Sequence, residues 1–233
     1  MAEVIRIENL SFSYGDKPVL DGVDFAVEEG RATVILGPSG IGKSTLLKLM
    51  AGLLEPTTGR LEVRSQGSAV GTRMVFQTPR LFPWLSVRKN LTFALRAAKV
   101  PREQWDQRIE NLMDKVGLLG ELDLSVAELS IGMAQRVALV RSLVCEPSVL
   151  LLDEPFSSLD PKRRRQLQDD LSSLVSFTGV SVVMVTHDIE EALEVGDQIL
   201  ILSGQPARII STITVADQPV DEARKLIEEH LLR

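Results

Sequence analysis

Gly37-Pro38-Ser39-Gly40-Ile41-Gly42-Lys43-Ser44-Thr45 decides how the chain reads. It follows an apolar run over residues 32–36 and opens a helical pattern over 46–54. Strand, glycine-rich loop and helix, in that order, form the setting in which G-x-x-x-x-G-K-[ST] binds phosphate. The motif falls on Gly37, Gly42, Lys43 and Ser44. Gly40 and Gly42 allow the backbone to turn its N–H groups inward around a polyphosphate, with no Cβ in the way. The helix that follows points its positive end at that charge. Lys43 is then expected to reach the β- and γ-phosphates, and the Ser44 hydroxyl to bind Mg²⁺. A glycine-rich turn with a chance lysine is the bland alternative, and the flanking strand and helix argue against it. The stretch predicts a nucleoside triphosphate site.

The bulk of the chain sets few limits. Its 233 residues, 44% hydrophobic and 25% charged, suit one large soluble domain or a domain with a modest insert. The net charge of -6 gives no support to a nucleic-acid partner. Lys162-Arg163-Arg164-Arg165 is a local basic run that reads as a solvated helix face. Cys145 is the only cysteine, so no intramolecular disulfide or cysteine metal cluster is expected, and it falls in an apolar helical pattern where it packs. Met1-Ala2-Glu3 lacks a basic lead, and no apolar run approaches about 18 residues, so neither a secretory signal nor a membrane span is expected. The cytoplasm is the expected compartment.

In chain order, residues 4–12 and 19–27 read as two strands joined by a turn at Gly15-Asp16-Lys17-Pro18, an antiparallel hairpin ahead of the loop strand. Tyr14 falls at that turn, where an aromatic either packs or stacks on a base. Short strands are expected at 60–63 and 73–77, the second ending on polar Gln77. Thr78-Pro79-Arg80-Leu81-Phe82-Pro83-Trp84-Leu85 follows, a loop with two prolines and two large aromatics. It is either a docking surface or a loop tucked onto a core. From 86 to about 146 the signals are helical, with Ser86 capping 87–98, apolar spacing over 102–116, and a third helix over 131–144. That last helix places Ser130 and several free N–H groups at a second anion-ready helix start.

Val149-Leu150-Leu151-Leu152-Asp153-Glu154 is a buried-strand pattern that ends in two acids. Ligands of parallel sheets gather at such strand ends. With the glycine-rich loop upstream, Asp153 is read as a Mg²⁺ ligand through water and Glu154 as the group that polarises an attacking water. A second buried strand at 180–185 ends at Thr186-His187-Asp188, which puts His187 on the same edge. Residues 197–202 and 208–215 read as closing strands, and 221–233 as an amphipathic terminal helix.

Taken together these residues resemble the ATP-binding cassette (ABC) ATPases over nearly the whole chain. Leu129-Ser130-Ile131-Gly132-Met133-Ala134-Gln135-Arg136 is similar to the signature motif of that family, and Ser157-Ser158-Leu159-Asp160 to its D-loop. Gln77 resembles the Q-loop glutamine, His187 the switch histidine and Tyr14 the aromatic that stacks on adenine. The resemblance implies an α/β fold: a P-loop NTPase core with a RecA-like, mostly parallel sheet, an N-terminal antiparallel β subdomain and an inserted helical subdomain. Residues 1–84 and 147–233 would form the core with its β subdomain, and 85–146 the helical insert.

The resemblance also implies a mechanism. Two cassettes pair head to tail, so one chain holds half of each site, and Ser130 and Gly132 close on the partner's ATP. Asp160 joins the nucleotide-binding set through the D-loop. Mg²⁺ falls to Ser44, Gln77 and Asp153, catalysis to Glu154 with Gln77, and sensing of the γ-phosphate to His187. Ile131 stands where the family usually has glycine; as a β-branched residue it cannot take φ > 0 and adds bulk near phosphate, so weaker closure or slower hydrolysis is expected. Met133 in place of the commoner glutamine matches several import cassettes. Val75-Phe76-Gln77 with Leu81-Phe82-Pro83-Trp84-Leu85 resembles the nitrate/sulfonate/taurine import ATPases. That subfamily implies a transport ATPase on the cytoplasmic face of the membrane, a homodimer bound to permease subunits through residues 77–85. An exporter or lipid-trafficking cassette is the alternative; a soluble non-transport relative or a P-loop kinase fits the length and the signature less well.

Overall fold

The computed structural model describes residues 2–64, 71–157, 159–217 and 219–231. At its centre lie four parallel strands, β3 (Ala32–Leu36), β6 (Val149–Asp153), β7 (Ser181–Thr186) and β8 (Gln198–Ser203), each almost wholly buried. Continuous apolar runs of this kind form because both faces of a parallel sheet are covered. With β5 (Thr72–Val75) on one edge and β9 (Arg208–Thr214) on the other, the order is β5-β6-β7-β3-β8-β9, and only β9 runs antiparallel. The register sets Leu36 beside Thr186, and Asp153 beside Val185. The glycine-rich loop, the two acids and His187 thus leave the sheet at one edge.

Alternation along β6 shows how the layers are filled. Val149 and Leu151 face a cluster built with β1 (Glu3–Tyr14), β2 (Lys17–Glu28) and α1 (Lys43–Met50), while Leu150 and Leu152 face the helices on the other side. β1, β2 and β4 (Thr58–Val63) form the expected antiparallel sheet, in the order β2-β1-β4. Each fully buried leucine or isoleucine side chain stabilises this arrangement by about 1.5–3 kcal/mol.

Three helices fill the middle of the chain: α2 (Val87–Ala97), α3 (Trp105–Lys115) and α4 (Ile131–Leu143). Ser86 and Ser130 cap the first and last, each hydroxyl accepting a backbone N–H at 3.3 Å, from Lys89 and Met133. An isolated bridge between Ser86 and Ser125 ties the ends of this segment together. Beyond β6 come α5 (Pro161–Thr178), α6 (Ile189–Val195) and α7 (Val220–Leu231).

Several boundaries differ from expectation. The helix after the glycine-rich loop starts at Lys43, with Gly42 as its N-terminal cap, and stops at Met50, with Ala51 as its C-terminal cap. The strand expected at 73–77 ends at Val75, which leaves Gln77 outside the sheet. Cys145 is buried, but in the turn after α4. The sequence patterns gave only the helix face at 162–165 of α5 and did not predict α6. Arg164 is not on a solvated face: it pairs with Asp188 at 3.2 Å across to the start of α6. Among the described residues, no helix is long and apolar enough to cross a membrane.

Candidate functional site

The loop after β3 turns sharply into α1. Gly42 has φ 119°, and a Cβ there would lie 2.9 Å from Val19 Cγ1. At Gly37 a Cβ would meet the Leu202 carbonyl oxygen at 2.6 Å. These two close approaches explain why glycine stands at each end of the motif. The turn opens a cavity of about 350 Å³. Residues 40–45 form one wall, Tyr14 and Lys17 to Val19 a second, with Glu154 and the loop of Gly204, Gln205 and Pro206 completing it.

Lys43 lies almost wholly inside this wall. Its Nζ donates to the carbonyls of Gly37 at 2.7 Å and Pro38 at 2.9 Å, and stands 3.7 Å from Glu154 Oε1. Burial lowers its pKa below the usual lysine value, and the nearby Glu154 and Asp153 carboxylates oppose that shift. The Ser44 hydroxyl donates to Asp153 Oδ1 at 2.7 Å, bringing the first turn of α1 against the end of β6. Glu154 stands just beyond that strand with φ 44°, and its N–H donates to the Val185 carbonyl at 3.1 Å. A positive φ at a non-glycine residue is a strained conformation that clusters at functional sites. Glu154 Oε2 lies 3.4 Å from His187 Nδ1, so one carboxylate faces the loop lysine and the end of β7 together.

Other predicted residues lie further out. The Tyr14 ring meets Phe12 edge-on with centroids 4.8 Å apart, and 49% of the residue remains exposed on the cavity side of β1. Tyr14 ends a strand rather than occupying the tip of a turn. Gln77 donates from Nε2 to Ser157 Oγ at 2.9 Å, so its side chain is directed to the segment after Glu154 rather than to Ser44 and Asp153.

Ser130, Gly132 and Asp160 are not brought to the loop. They line a separate cavity of about 510 Å³ with Met133, Arg163 and Leu167. Asp160 caps α5, its Oδ1 accepting from Arg163 N at 3.1 Å. Ser158 of the expected D-loop lies outside the described residues. Ile131 is the first residue of α4, with ordinary helical backbone, and is 59% exposed. The position therefore does not need positive φ, which corrects half of the reasoning about the missing glycine; the bulk beside Ser130 and Gly132 remains.

The two-proline loop is split between the two readings it allowed. Leu81 is buried and Trp84 is 76% exposed. The Phe82 ring packs between Phe93 at 4.8 Å and Trp84 at 5.6 Å. The sequence did not single out Lys17, Val19, Gln205 or Pro206 as cavity residues. They reach the site because the Ala207 N–H donates to the Val19 carbonyl at 2.8 Å and pins the β8–β9 loop to β2, a pairing without a local sequence signal.

The family model described as "ABC transporter" matches residues 20–157, more than half of the chain. This chain belongs to the ABC transporter family. As an ABC protein it is an ATPase. It is 43% identical over 222 residues to the sulfate/thiosulfate import ATP-binding protein CysA of Thermosynechococcus vestitus, covering 92% of this chain and 66% of that protein. It is 40% identical over 221 residues to the aliphatic sulfonates import ATP-binding protein SsuB 1 of Pseudomonas syringae pv. syringae, with 94% and 88% covered. The chain thus spans slightly under two thirds of the first relative and most of the second. Among solved structures, that of cbiO1 from Clostridium perfringens, part of the ABC transporter complex cbiONQ, superposes with a TM-score of 0.83 at 29% identity, covering 100% of this chain and 96% of the other. The match to the mixed sheet and its layers bears out the α/β, P-loop NTPase reading.

Proposed function

We propose that this chain is the ATP-hydrolysing subunit of an ABC importer for a small solute. It works as a pair with a second such subunit on the cytoplasmic face of the membrane, against permease subunits. The observation that carries the reading is the convergence of Lys43, Ser44, Asp153, Glu154 and His187 at one sheet edge, with Ser44 bonded to Asp153 at 2.7 Å and Glu154 3.7 Å from Lys43. Import, rather than export, is supported by the relatives named for import of sulfate and aliphatic sulfonates. A sulfo-oxyanion is the solute class to test first.

In this reading the loop from Gly37 to Thr45, with Pro38, Ser39, Gly40 and Ile41 offering backbone, holds the phosphates, and Tyr14 stacks on the base. Lys43 exchanges its two carbonyl acceptors for phosphate oxygens. The hydroxyl of Ser44 and the carboxylate of Asp153 are hard oxygen donors already in contact, which suits Mg²⁺, and Gln77 would join them by turning away from Ser157. Mg²⁺, when bound, neutralises phosphate charge. Glu154 orients and deprotonates the attacking water, and His187, facing the same carboxylate, senses the γ-phosphate.

The separation of Ser130, Gly132 and Asp160 from the loop supports a head-to-tail pair, since one chain leaves both halves incomplete. Closing on ATP and releasing after hydrolysis would then drive the permease. We divide the chain into a core of 1–84 and 147–233 and a helical part of 85–146. The exposed Trp84 with Phe93 at their junction supports residues 77–85 as the permease contact. Co-expression with candidate permease subunits tests the assignment. Co-purification with substrate-stimulated ATP turnover is the expected result, and an ATPase that never associates with a membrane subunit and needs none overturns it.

A further inference from the structure

Arg164 forms a link between two parts of the site that no motif assigns. It stands one turn into α5, its N–H donating to the Asp160 carbonyl at 2.9 Å. Its guanidinium Nη1 lies 3.2 Å from Asp188 Oδ2 and 3.7 Å from Glu191 Oε1. Nε is buried and finds no acceptor among the described residues, while the side chain as a whole is one-third exposed, so the guanidinium engages the two carboxylates through Nη1.

Both carboxylates bear on the backbone that carries His187. Asp188 Oδ1 caps α6, accepting from the N–H of Glu190 at 2.9 Å and of Glu191 at 3.2 Å. Glu191 is only 4% exposed, and its Oε2 accepts the Thr186 hydroxyl at 2.6 Å. Thr186 Oγ1 in turn accepts the Asp188 N–H at 3.1 Å. Residues 186 and 188 are therefore fixed from one cluster, while His187 between them is half exposed and aims Nδ1 at Glu154. A buried carboxylate is costly unless paired, and Arg164 is the cation that faces both acids. Burial pushes the Glu191 carboxyl upward, and Arg164 acts against that shift.

We propose that Arg164 is a positioning residue for His187: by holding Asp188 and Glu191 it sets the backbone on both sides of the histidine and couples the Asp160 end of α5 to Glu154. This rests on the role given to His187 above. The coupling has a mechanical consequence. A displacement of Asp160, when a second subunit closes on that face, is passed along one helical turn to the residue beside the catalytic carboxylate.

The experiment is a double-mutant cycle on the transporter complex, reading kcat, KM and ATP affinity. Arg164→Gln is expected to lower kcat about tenfold, the low end for residues that orient a site ligand from behind. ATP affinity should remain, since the loop is untouched. In a His187→Ala background the same change should alter kcat by no more than about twofold, the usual limit of additivity. Asp188→Asn keeps the oxygen that caps α6 and loses the charge, so it should reproduce the kcat loss even where Arg164→Gln folds poorly. Additive losses in the cycle overturn the role of Arg164 and leave that of His187 standing. A His187→Ala protein with unchanged kcat removes both.

Discussion

Replacing Lys43 by methionine separates what this residue does for ATP from what it does for the fold. In the structure its ammonium is buried, donates to two carbonyls at 2.7 and 2.9 Å and stands 3.7 Å from Glu154. Hydrogen bonds that involve a charged group stabilise by about 1.5–3 kcal/mol each. Against this, removing an ammonium from water costs several kcal/mol. Desolvation prevails, because the pKa of Lys43 falls below 10.5 in the fold. Its favourable contribution is then fully present above that ordinary value and is lost as pH falls through the folded pKa. At neutral pH the charged amine is a net cost in the ligand-free protein. Lys43→Met, nearly equal in length, should change ligand-free stability by less than about 2 kcal/mol, and the variant should gain on wild type as pH falls. ATP affinity should drop at least tenfold, the equivalent of one lost charge-assisted contact of about 1.5 kcal/mol. Thermal unfolding with and without ATP, together with titration calorimetry, measures both quantities. A variant that loses more than about 4 kcal/mol without ligand yet binds ATP as before would refute this reasoning, since it would make Lys43 a structural ion pair.

Other perturbations test separate parts of the account. Gly42→Ala puts a Cβ 2.9 Å from Val19 at φ 119°, so ATP binding and thermal stability should both fall, the latter by about 1–3 kcal/mol; unchanged melting would show that the loop relaxes freely. Trp84→Ala removes a ring that is 76% exposed, so ATP binding by the purified chain and its stability should hold within about 0.5 kcal/mol while co-purification with the permease is lost. Retained co-purification would move the contact elsewhere. Ile131→Gly removes exposed bulk beside Ser130 and Gly132, and the rate of ATP hydrolysis by the paired subunits should rise; an unchanged or lower rate ends the idea that Ile131 slows closure.

What was readable in the sequence depended on how local the cause was. Residues 32–36 and the loop behind them were legible because strand period, glycines and lysine are fixed by their own spacing. Asp153, Glu154 and His187 were legible as strand-end residues once the sheet was parallel. Beyond the helix face at 162–165, α5 escaped although Asp160, Pro161 and Gly179 mark both its ends, because buried Gln168 and Asp170 interrupt the apolar stripe expected of a packed helix. Arg164 looked solvated because its acidic partner lies 24 residues away on another element. Gln77 was expected to end a strand that in fact stops at Val75, and its hydrogen bond to Ser157 depends on the path after Glu154, which no pattern reports. At Ile131 the bulk was plain, but the helical backbone was visible only in three dimensions.

The central claim is that Glu154 activates water at an ATP site whose phosphates are held by the loop from Gly37 to Thr45. Steady-state ATP hydrolysis by Glu154→Gln, measured beside its ATP affinity, tests this most directly. The amide keeps the shape and loses the base, so affinity should be retained while turnover falls about 10²–10⁴-fold and the ATP-bound pair persists. Turnover close to that of the wild type, with ATP bound normally, would contradict the account.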